Sequence, residues 1–313
     1  MIMFSLYFTK NIPFKQVLLH GIVRDEKGEK MSKSKGNGID PLDVINKYGA
    51  DALRYTLIYN LPLGDDINVS TKSFDLGKSF CTKLWNATRY ILMNISDTDT
   101  DINLIKMESD YYDVENINDF ENINDFENIN DFDKWIIHKI NILNDKISQF
   151  ISEYNFSGAL KSLSDFFWND FCNMYLEISK NHIDKLCTKK MLILLMSKIL
   201  RMYHPFVPFI TEELWNHINK FFTNTPQSIM NLSWPTPDII NATHLNETQY
   251  FIDMIYKIRA TKGINDYKKI TIGNDNNSNV EFLNTNKNVF SKLTKINDID
   301  AIYCIDKKMY FLE

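Results

Sequence analysis

The sequence has little of what disulfide-stabilised, zinc-binding or membrane-spanning proteins require. Its 313 residues include only four cysteines, at positions 81, 172, 187 and 304, and none forms a Cys-x-x-Cys pair. This pattern favours reduced structural thiols in an intracellular protein, and no His or Cys cluster has the spacing of zinc ligands. No apolar run reaches the roughly 18 residues of a membrane span, so we predict no membrane partner.

The amino terminus lacks the basic segment that begins a signal peptide. Its apolar residues resemble a helix or strand from the interior of a domain, so the chain is expected to begin within a fold. The length favours about two domains. We predict a cytoplasmic protein and leave an organellar form open.

Charge is distributed unevenly along the chain. Residues 97–133 contain thirteen acids and one lysine, and the rest of the chain carries a net charge of +7. A mildly basic remainder permits a nucleic-acid partner. The acidic stretch contains Glu-Asn-Ile-Asn-Asp-Phe three times in tandem, at 115–132. Its composition predicts a disordered, low-complexity insertion over 96–132 that has no catalytic role.

The cationic loop, residues 24–37, is the most polar segment outside that insertion. It holds five basic residues, three acids and two glycines. The apolar run 16–23 before it predicts a buried strand, and Ile39-Asp40-Pro41 after it predicts a helix start. Lysines on a loop that follows a strand can reach phosphate oxygens, whereas the alternative is an ordinary solvated loop.

Lys-Met-Ser-Lys-Ser at 30–34, with His20-Gly21 before it and Gly36-Asn37 after it, resembles the signature loop of class I aminoacyl-tRNA synthetases. The resemblance implies ATP as a substrate, Mg²⁺ bound with the ATP, and no metal held by the protein itself. It makes Lys33 the principal catalytic lysine and Lys30 the supporting one. Gly28 and Gly36 are expected to let the loop close. The residues expected to bind ATP are Lys30, Ser32, Lys33, Ser34, His20 and Gly21.

Helical periodicity dominates the remainder of the chain. We predict helices over 73–95, over 133–154, from a Ser157 cap, after Cys187, from a Thr211 cap, and over 245–263. Short links favour an antiparallel bundle. The stretch from His204 to Trp215 resembles the anticodon-binding domain of the valyl, isoleucyl, leucyl and methionyl enzymes.

The bundle is rich in aromatic residues, for which core packing is the first interpretation and stacking on anticodon bases the alternative. His204 is predicted to be a structural hydrogen-bonding residue. Those aromatic residues are Phe166, Phe167, Trp168, Phe171, Tyr175, Tyr203 and Trp215.

The predicted fold is mainly α. The end of a Rossmann-type α/β catalytic domain (1–60) is followed by a connector (61–72), an anticodon-binding bundle (73–222) and a carboxy-terminal helix with a small α+β region (223–313). In the last region we predict strands at 280–283 and 301–304 around a helix at 286–294.

The motifs Asp66-Ile-Asn68, Asn86-Ala-Thr-Arg89 and Trp168-Asn-Asp-Phe-Cys172 are most similar to valyl enzymes. The resemblance therefore implies valine and tRNA(Val) as partners, with isoleucyl enzymes as the alternative. The His-x-Gly-His motif of the family is absent from the sequence. We therefore expect a fragment that is inactive without an amino-terminal catalytic half. A stand-alone tRNA-binding module and a truncated gene product without function are the other hypotheses.

Overall fold

A computed structural model describes residues 1–60, 64–95, 105–106, 129–223, 225–238, 240, 243–261, 269–296, 298–303 and 310–312. Helices dominate, as predicted. The helices are α1 (Ile2–Thr9), α2 (Pro41–Tyr48), α3 (Ala50–Asn60), α4 (Phe74–Met93), α5 (Asp131–Ser152), α6 (Phe156–Asp165), α7 (Leu176–Ser179), α8 (Leu186–Tyr203), α9 (Pro208–Ile218), α10 (Leu245–Ala260), α11 (Asn277–Thr285) and α12 (Lys287–Thr294). The strands are β1 (Val23–Arg24), β2 (Ile67–Asn68), β3 (Ile105–Lys106), β4 (Phe222–Thr223), β5 (Lys269–Asn274), β6 (Asp298–Tyr303) and β7 (Tyr310–Leu312).

The chain forms two compact units, and the first comprises residues 1–83 and 146–162. Its core cluster lies where the parallel pair of β1 and β2 packs against α2, α3 and the first residue of α4. Asp40 caps α2, because its carboxylate accepts a hydrogen bond from the Leu42 amide, and Pro41 occupies the first turn. The residues that form or pack against this cluster are Val44, Ile67, Val69, Phe74, Val23, Ile39, Tyr48, Leu53 and Leu57.

The prediction of a buried strand over 16–23 is wrong. Within 16–23 only Val23 belongs to a strand, β1, and Val17 and Leu19 are 67% and 76% exposed. Within the described part of the chain, β1 has a single neighbouring strand, β2. The residues before it therefore lack the cover that a strand inside a sheet would receive.

The second unit comprises residues 84–145 and 163–313. The apolar faces predicted for its helices are confirmed, since Ile136, Leu192 and Ile199 are all fully buried. A π-helix, Phe166–Tyr175, joins α6 to α7 within the helix predicted from Ser157, and its π geometry was not predicted.

Two predicted helix caps are wrong. Helix α6 begins at Phe156, and the Asn155 side chain, rather than Ser157, accepts a hydrogen bond from the Gly158 amide at 2.9 Å. Helix α9 begins at Pro208, so Thr211 lies inside it. Both corrections move the helix start by a few residues toward the amino terminus.

The carboxy-terminal region combines one correct strand with one error. Strand β6 covers the predicted Ala301, and α12 matches the predicted helix. Residues 280–283 lie in helix α11, so their prediction as a strand is wrong. In the sheet, β5 is central, parallel to β6 and antiparallel to β7.

Most of the predicted insertion, 96–132, lies outside the described residues. Its described part includes β3, which pairs in parallel with β4, and the first two residues of α5. Those four residues are therefore structured, contrary to the prediction. The predicted domain boundaries stay a prediction.

An extended segment, residues 233–238, is held in the second unit by side chains of α5 and α8. Asn144 donates to the Pro235 carbonyl at 2.7 Å and accepts from the Trp234 indole. Lys198 donates to the Thr236 carbonyl and forms an ion pair with Asp238 at 2.6 Å, and both side chains are almost fully buried. A buried pair of this kind fixes the segment because each charge needs the other.

We predict that Lys198→Met lowers the free energy of unfolding by about 3–5 kcal/mol, since the Asp238 carboxylate would stay buried without its cation. Urea denaturation measures this change. Lys198→Met combined with Asp238→Leu should recover most of the loss. The control is Lys257→Met on the exposed side of α10, which should change stability little. Equal losses in the single and double variants would contradict the explanation.

Candidate functional site

The cationic loop runs from β1 to α2 in the first unit. Val23 before the loop and Ile39 after it pack against the same core cluster. A tight turn opens the loop, where the Asp25 amide donates to the Glu29 carbonyl and the Gly28 amide donates to the Asp25 carbonyl, both at 3.0 Å. Gly28 and Gly36 have φ values of 77° and 64°, a region that favours glycine. The two glycines are thus needed for the path of the loop.

Asp66 anchors the beginning of the loop to β2. Its carboxylate accepts hydrogen bonds from the Ile22 amide at 2.7 Å and from Arg24 Nε at 2.5 Å. These bonds hold the pKa of Asp66 below its ordinary value, with the Ile22 amide as the larger cause. Arg24 also donates to the Gly28 carbonyl at 3.3 Å. The Asp66 carboxylate therefore connects β2 to β1 directly, and it connects to the first turn of the loop through Arg24.

Gly21 approaches the backbone before β2 very closely. A Cβ atom at this position would lie 1.7 Å from the Asp65 carbonyl oxygen. His20 Nδ1 lies 2.8 Å from the Gly21 carbonyl oxygen. Packing within the first unit thus gives a reason for glycine at position 21, and the expected contact of His20 and Gly21 with adenosine stays a prediction.

We predict that Gly21→Ala destabilises the first unit by about 1–3 kcal/mol or more, because the methyl group would displace backbone atoms rather than a flexible side chain. Thermal unfolding measures the loss. Gly38→Ala is the matched control, since no atom lies within 4 Å of a Cβ built there. A Gly21→Ala variant as stable as Gly38→Ala would disprove the close approach.

Three of the predicted phosphate ligands, Lys30, Ser32 and Ser34, have described side chains. Lys30 and Ser34 are exposed and Ser32 is half-buried. The two serine hydroxyl oxygens are 3.2 Å apart. Lys33 begins a short 3₁₀ turn, Lys33–Lys35, and its side chain lies outside the description. The arrangement offers hydroxyl donors and an ammonium group to an anion.

Two of the three acids in the loop are engaged by other groups. Glu29 forms an ion pair with Lys35 at 2.9 Å, and the Asp25 carboxylate accepts hydrogen bonds from amides within the loop. Sequence reasoning missed the structural roles of Asp25, Asn37 and Asp66. The available signal was the preference of Asp and Asn for turns, where their side chains bind nearby amides.

The aromatic residues of the bundle are mostly core residues. Six of the seven named above are buried, and Trp168 is half-buried. Phe167 packs edge-on against Tyr203 with ring centroids 5.8 Å apart. Trp85 on α4 was not among the seven, yet it is 40% exposed. It is therefore more accessible to a ligand than those six, and its ring is perpendicular to that of His217, with centroids 6.1 Å apart.

His204 has the structural role that was predicted. Its Nδ1 lies 2.8 Å from the Thr211 hydroxyl oxygen. That hydroxyl also bonds to the Val207 carbonyl at 2.9 Å. The pair joins the end of α8 to the first turns of α9.

The described residues contain no group of three or more His, Cys, Asp or Glu side chains arranged to hold a metal ion. Among them, no helix combines the length and the apolar character needed to cross a membrane.

Two family models match the chain. Residues 1–70 match the model of class I tRNA synthetases for isoleucine, leucine, methionine and valine. Residues 133–273 match the model of the anticodon-binding domain of tRNA ligases. The first match contains the whole cationic loop, and the second contains most of the helices of the second unit.

Curated relatives cover both matched regions. A valine–tRNA ligase of Fusobacterium nucleatum is 36% identical over 315 residues, which span 96% of this chain and 33% of the relative. A valine–tRNA ligase of Lactobacillus acidophilus is 37% identical over 267 residues, or 83% of this chain and 28% of the relative. The chain thus spans a third or less of the length of these relatives.

Solved structures show the same fold. A LeuRS of Agrobacterium radiobacter, crystallised in a ternary complex with tRNA and LeuAMS, aligns with a TM-score of 0.51 at 22% identity. The alignment covers 72% of this chain and 25% of that one.

Proposed function

The chain belongs to the class I tRNA synthetases of the isoleucine, leucine, methionine and valine group, and we propose that it is the carboxy-terminal part of a valine–tRNA ligase. The observation that carries this proposal is the combination, in one chain, of the cationic loop and the anticodon-binding helices, both within relatives of that activity. The location, cytoplasmic or organellar, is part of the proposal.

In the proposed reaction the valine carboxylate attacks the α-phosphorus of ATP. An oxygen–phosphorus bond forms to give valyl-adenylate, the bond to the β-phosphate bridging oxygen breaks, and pyrophosphate leaves. Negative charge develops on the phosphates, where fixed cations and hydroxyl donors stabilise it. Lys33 and Lys30 would supply the positive charge and Ser32 and Ser34 the donors, while Mg²⁺ would enter bound to ATP. A terminal ribose hydroxyl of tRNA(Val) would then attack the valyl carbonyl carbon, an ester bond would form, and AMP would leave.

An exposed apolar surface on the first unit supports a requirement for further protein. Every residue of α1 is at least partly exposed, including Phe4 at 72% and Phe8 at 73%. Val17 and Leu19 are exposed as well, and soluble proteins usually cover large apolar side chains in such numbers. We propose that the remaining catalytic half, with the His-x-Gly-His motif, covers them.

We predict that Lys33→Ala or Lys30→Ala in the complete enzyme lowers valine-dependent pyrophosphate exchange by about 100- to 1,000-fold, with the larger loss at Lys33. The control is Lys27→Ala in the same loop, which should change exchange little. Binding of tRNA should be retained in all three variants.

Pyrophosphate exchange that depends on isoleucine instead of valine would show that the substrate is isoleucine, which is the alternative assignment. The 313-residue chain alone should show no exchange, because it lacks His-x-Gly-His. Exchange by the pure chain would contradict the fragment hypothesis.

We predict that the 313-residue chain binds tRNA(Val) weakly, with an affinity that falls steeply as salt rises. Because binding releases counterions from the phosphates, the logarithm of the affinity falls linearly with the logarithm of the salt concentration. Filter binding between low and physiological salt measures the slope, with tRNA(Ile) as the comparison. Binding that does not change with salt, or that is absent at low salt, would argue against an RNA-binding surface on the helices.

A further inference from the structure

Asp25, the first residue after β1, uses its carboxylate entirely on amides of the cationic loop. Oδ1 accepts hydrogen bonds from the Lys27 amide at 3.0 Å and the Glu29 amide at 2.7 Å. Oδ2 accepts from Asn37 Nδ2 at 2.8 Å. These bonds keep the pKa of Asp25 below its ordinary value, with the Asn37 amide as the first cause. The carboxylate thus joins the first turn of the loop to its last residue.

The Asn37 side chain contacts the backbone of the two residues that flank Met31, Lys30 and Ser32. Its Oδ1 accepts a hydrogen bond from the Ser32 amide at 2.9 Å. Its Nδ2, besides donating to Asp25, lies 3.4 Å from the Lys30 carbonyl oxygen. One side-chain amide therefore fixes the backbone of residues 30–32 relative to Asp25.

These contacts separate two groups of residues in the loop. Asp25 and Asn37 are half-buried and bind the backbone, while Lys30 and Ser34 are exposed. The first group supports the loop, and the second is accessible to a ligand. A surface acid with a purely solvating role would not accept three amide hydrogen bonds in this arrangement.

We propose that Asp25 and Asn37 form a latch that positions the Lys30–Ser32 backbone for phosphate binding. The two are positioning residues and do not touch ATP. This inference rests on the function proposed above, because it assigns the latch to ATP binding by the loop. In the Asp25–Asn37 hydrogen bond the amide of Asn37 donates and the carboxylate of Asp25 accepts. The bond therefore needs an acid at one position and an amide at the other.

The first test measures hydrogen exchange of the Ser32 amide by NMR in the 313-residue chain. Asp25→Asn places two NH₂ groups face to face, and Asn37→Asp places two carboxylates face to face. Each single variant should raise the exchange rate about fivefold or more, the usual worth of one hydrogen bond. The double variant, Asp25→Asn with Asn37→Asp, restores an acid–amide pair. It should return the hydrogen-exchange rate of the Ser32 amide toward its original value.

Glu29→Gln is the control for the removal of a loop carboxylate. It breaks the ion pair with Lys35 but leaves the latch intact, so exchange at Ser32 should not change. Unchanged exchange in the single variants, or failure of the double variant to recover, would overturn the latch.

The second test is valine-dependent pyrophosphate exchange in the complete enzyme. The single variants should raise the KM for ATP and lower kcat, and the double variant should recover both. Activity that is unaffected by the single variants, when Lys33→Ala lowers it by about 100-fold or more, would overturn the role of the latch but leave the proposed function intact. Activity that Lys33→Ala leaves unchanged would contradict the proposed function itself, whatever the hydrogen-exchange rate of the Ser32 amide.

Discussion

A loop with almost no apolar side chains cannot be held in place by hydrophobic burial, so its shape depends on hydrogen bonds to two carboxylates. Asp66 binds the chain where it enters the cationic loop, and Asp25 binds it within the loop. Carboxylates suit this task, because hydrogen bonds from amides to a charged acceptor are stronger than those between neutral groups. Arg24 is bonded to Asp66 and Lys35 to Glu29, whereas the exposed Lys30 is accessible to an anion.

The positions of the helices followed from sequence periodicity, because burial of one face dominates the stability of a helix in a protein. Their caps were less predictable. Asn155 and Ser157 are two residues apart and both are favoured at helix starts, so the sequence alone does not decide between them. Residues 280–283 were assigned to a strand, although Asn276 before them caps a helix. Strand β5 was missed despite its alternating buried Ile270 and Ile272.

The motif in the cationic loop predicted residues that would bind a ligand, but it gave no indication of the residues that support them. Lys30, Ser32 and Ser34 were recognisable because they lie within five consecutive residues. Asp25 and Asn37 are twelve positions apart and become neighbours only through the path of the loop. Similarly, the requirement for glycine at position 21 arises from Asp65, which is distant in sequence and adjacent in space. Contacts of this kind need a structure.

The second unit contains all five tryptophans of the chain, whereas the cationic loop belongs to the first unit. The tryptophans are at positions 85, 135, 168, 215 and 234. Trp135 and Trp215 are buried, and the Trp234 indole is hydrogen-bonded to Asn144. Intrinsic indole fluorescence therefore reports the environment of the second unit alone. The fluorescence of a tryptophan introduced next to the loop could be measured separately only in a protein whose other tryptophans had been replaced by phenylalanine. Fluorescence and far-ultraviolet circular dichroism, recorded on the same sample, would show whether the two units unfold together.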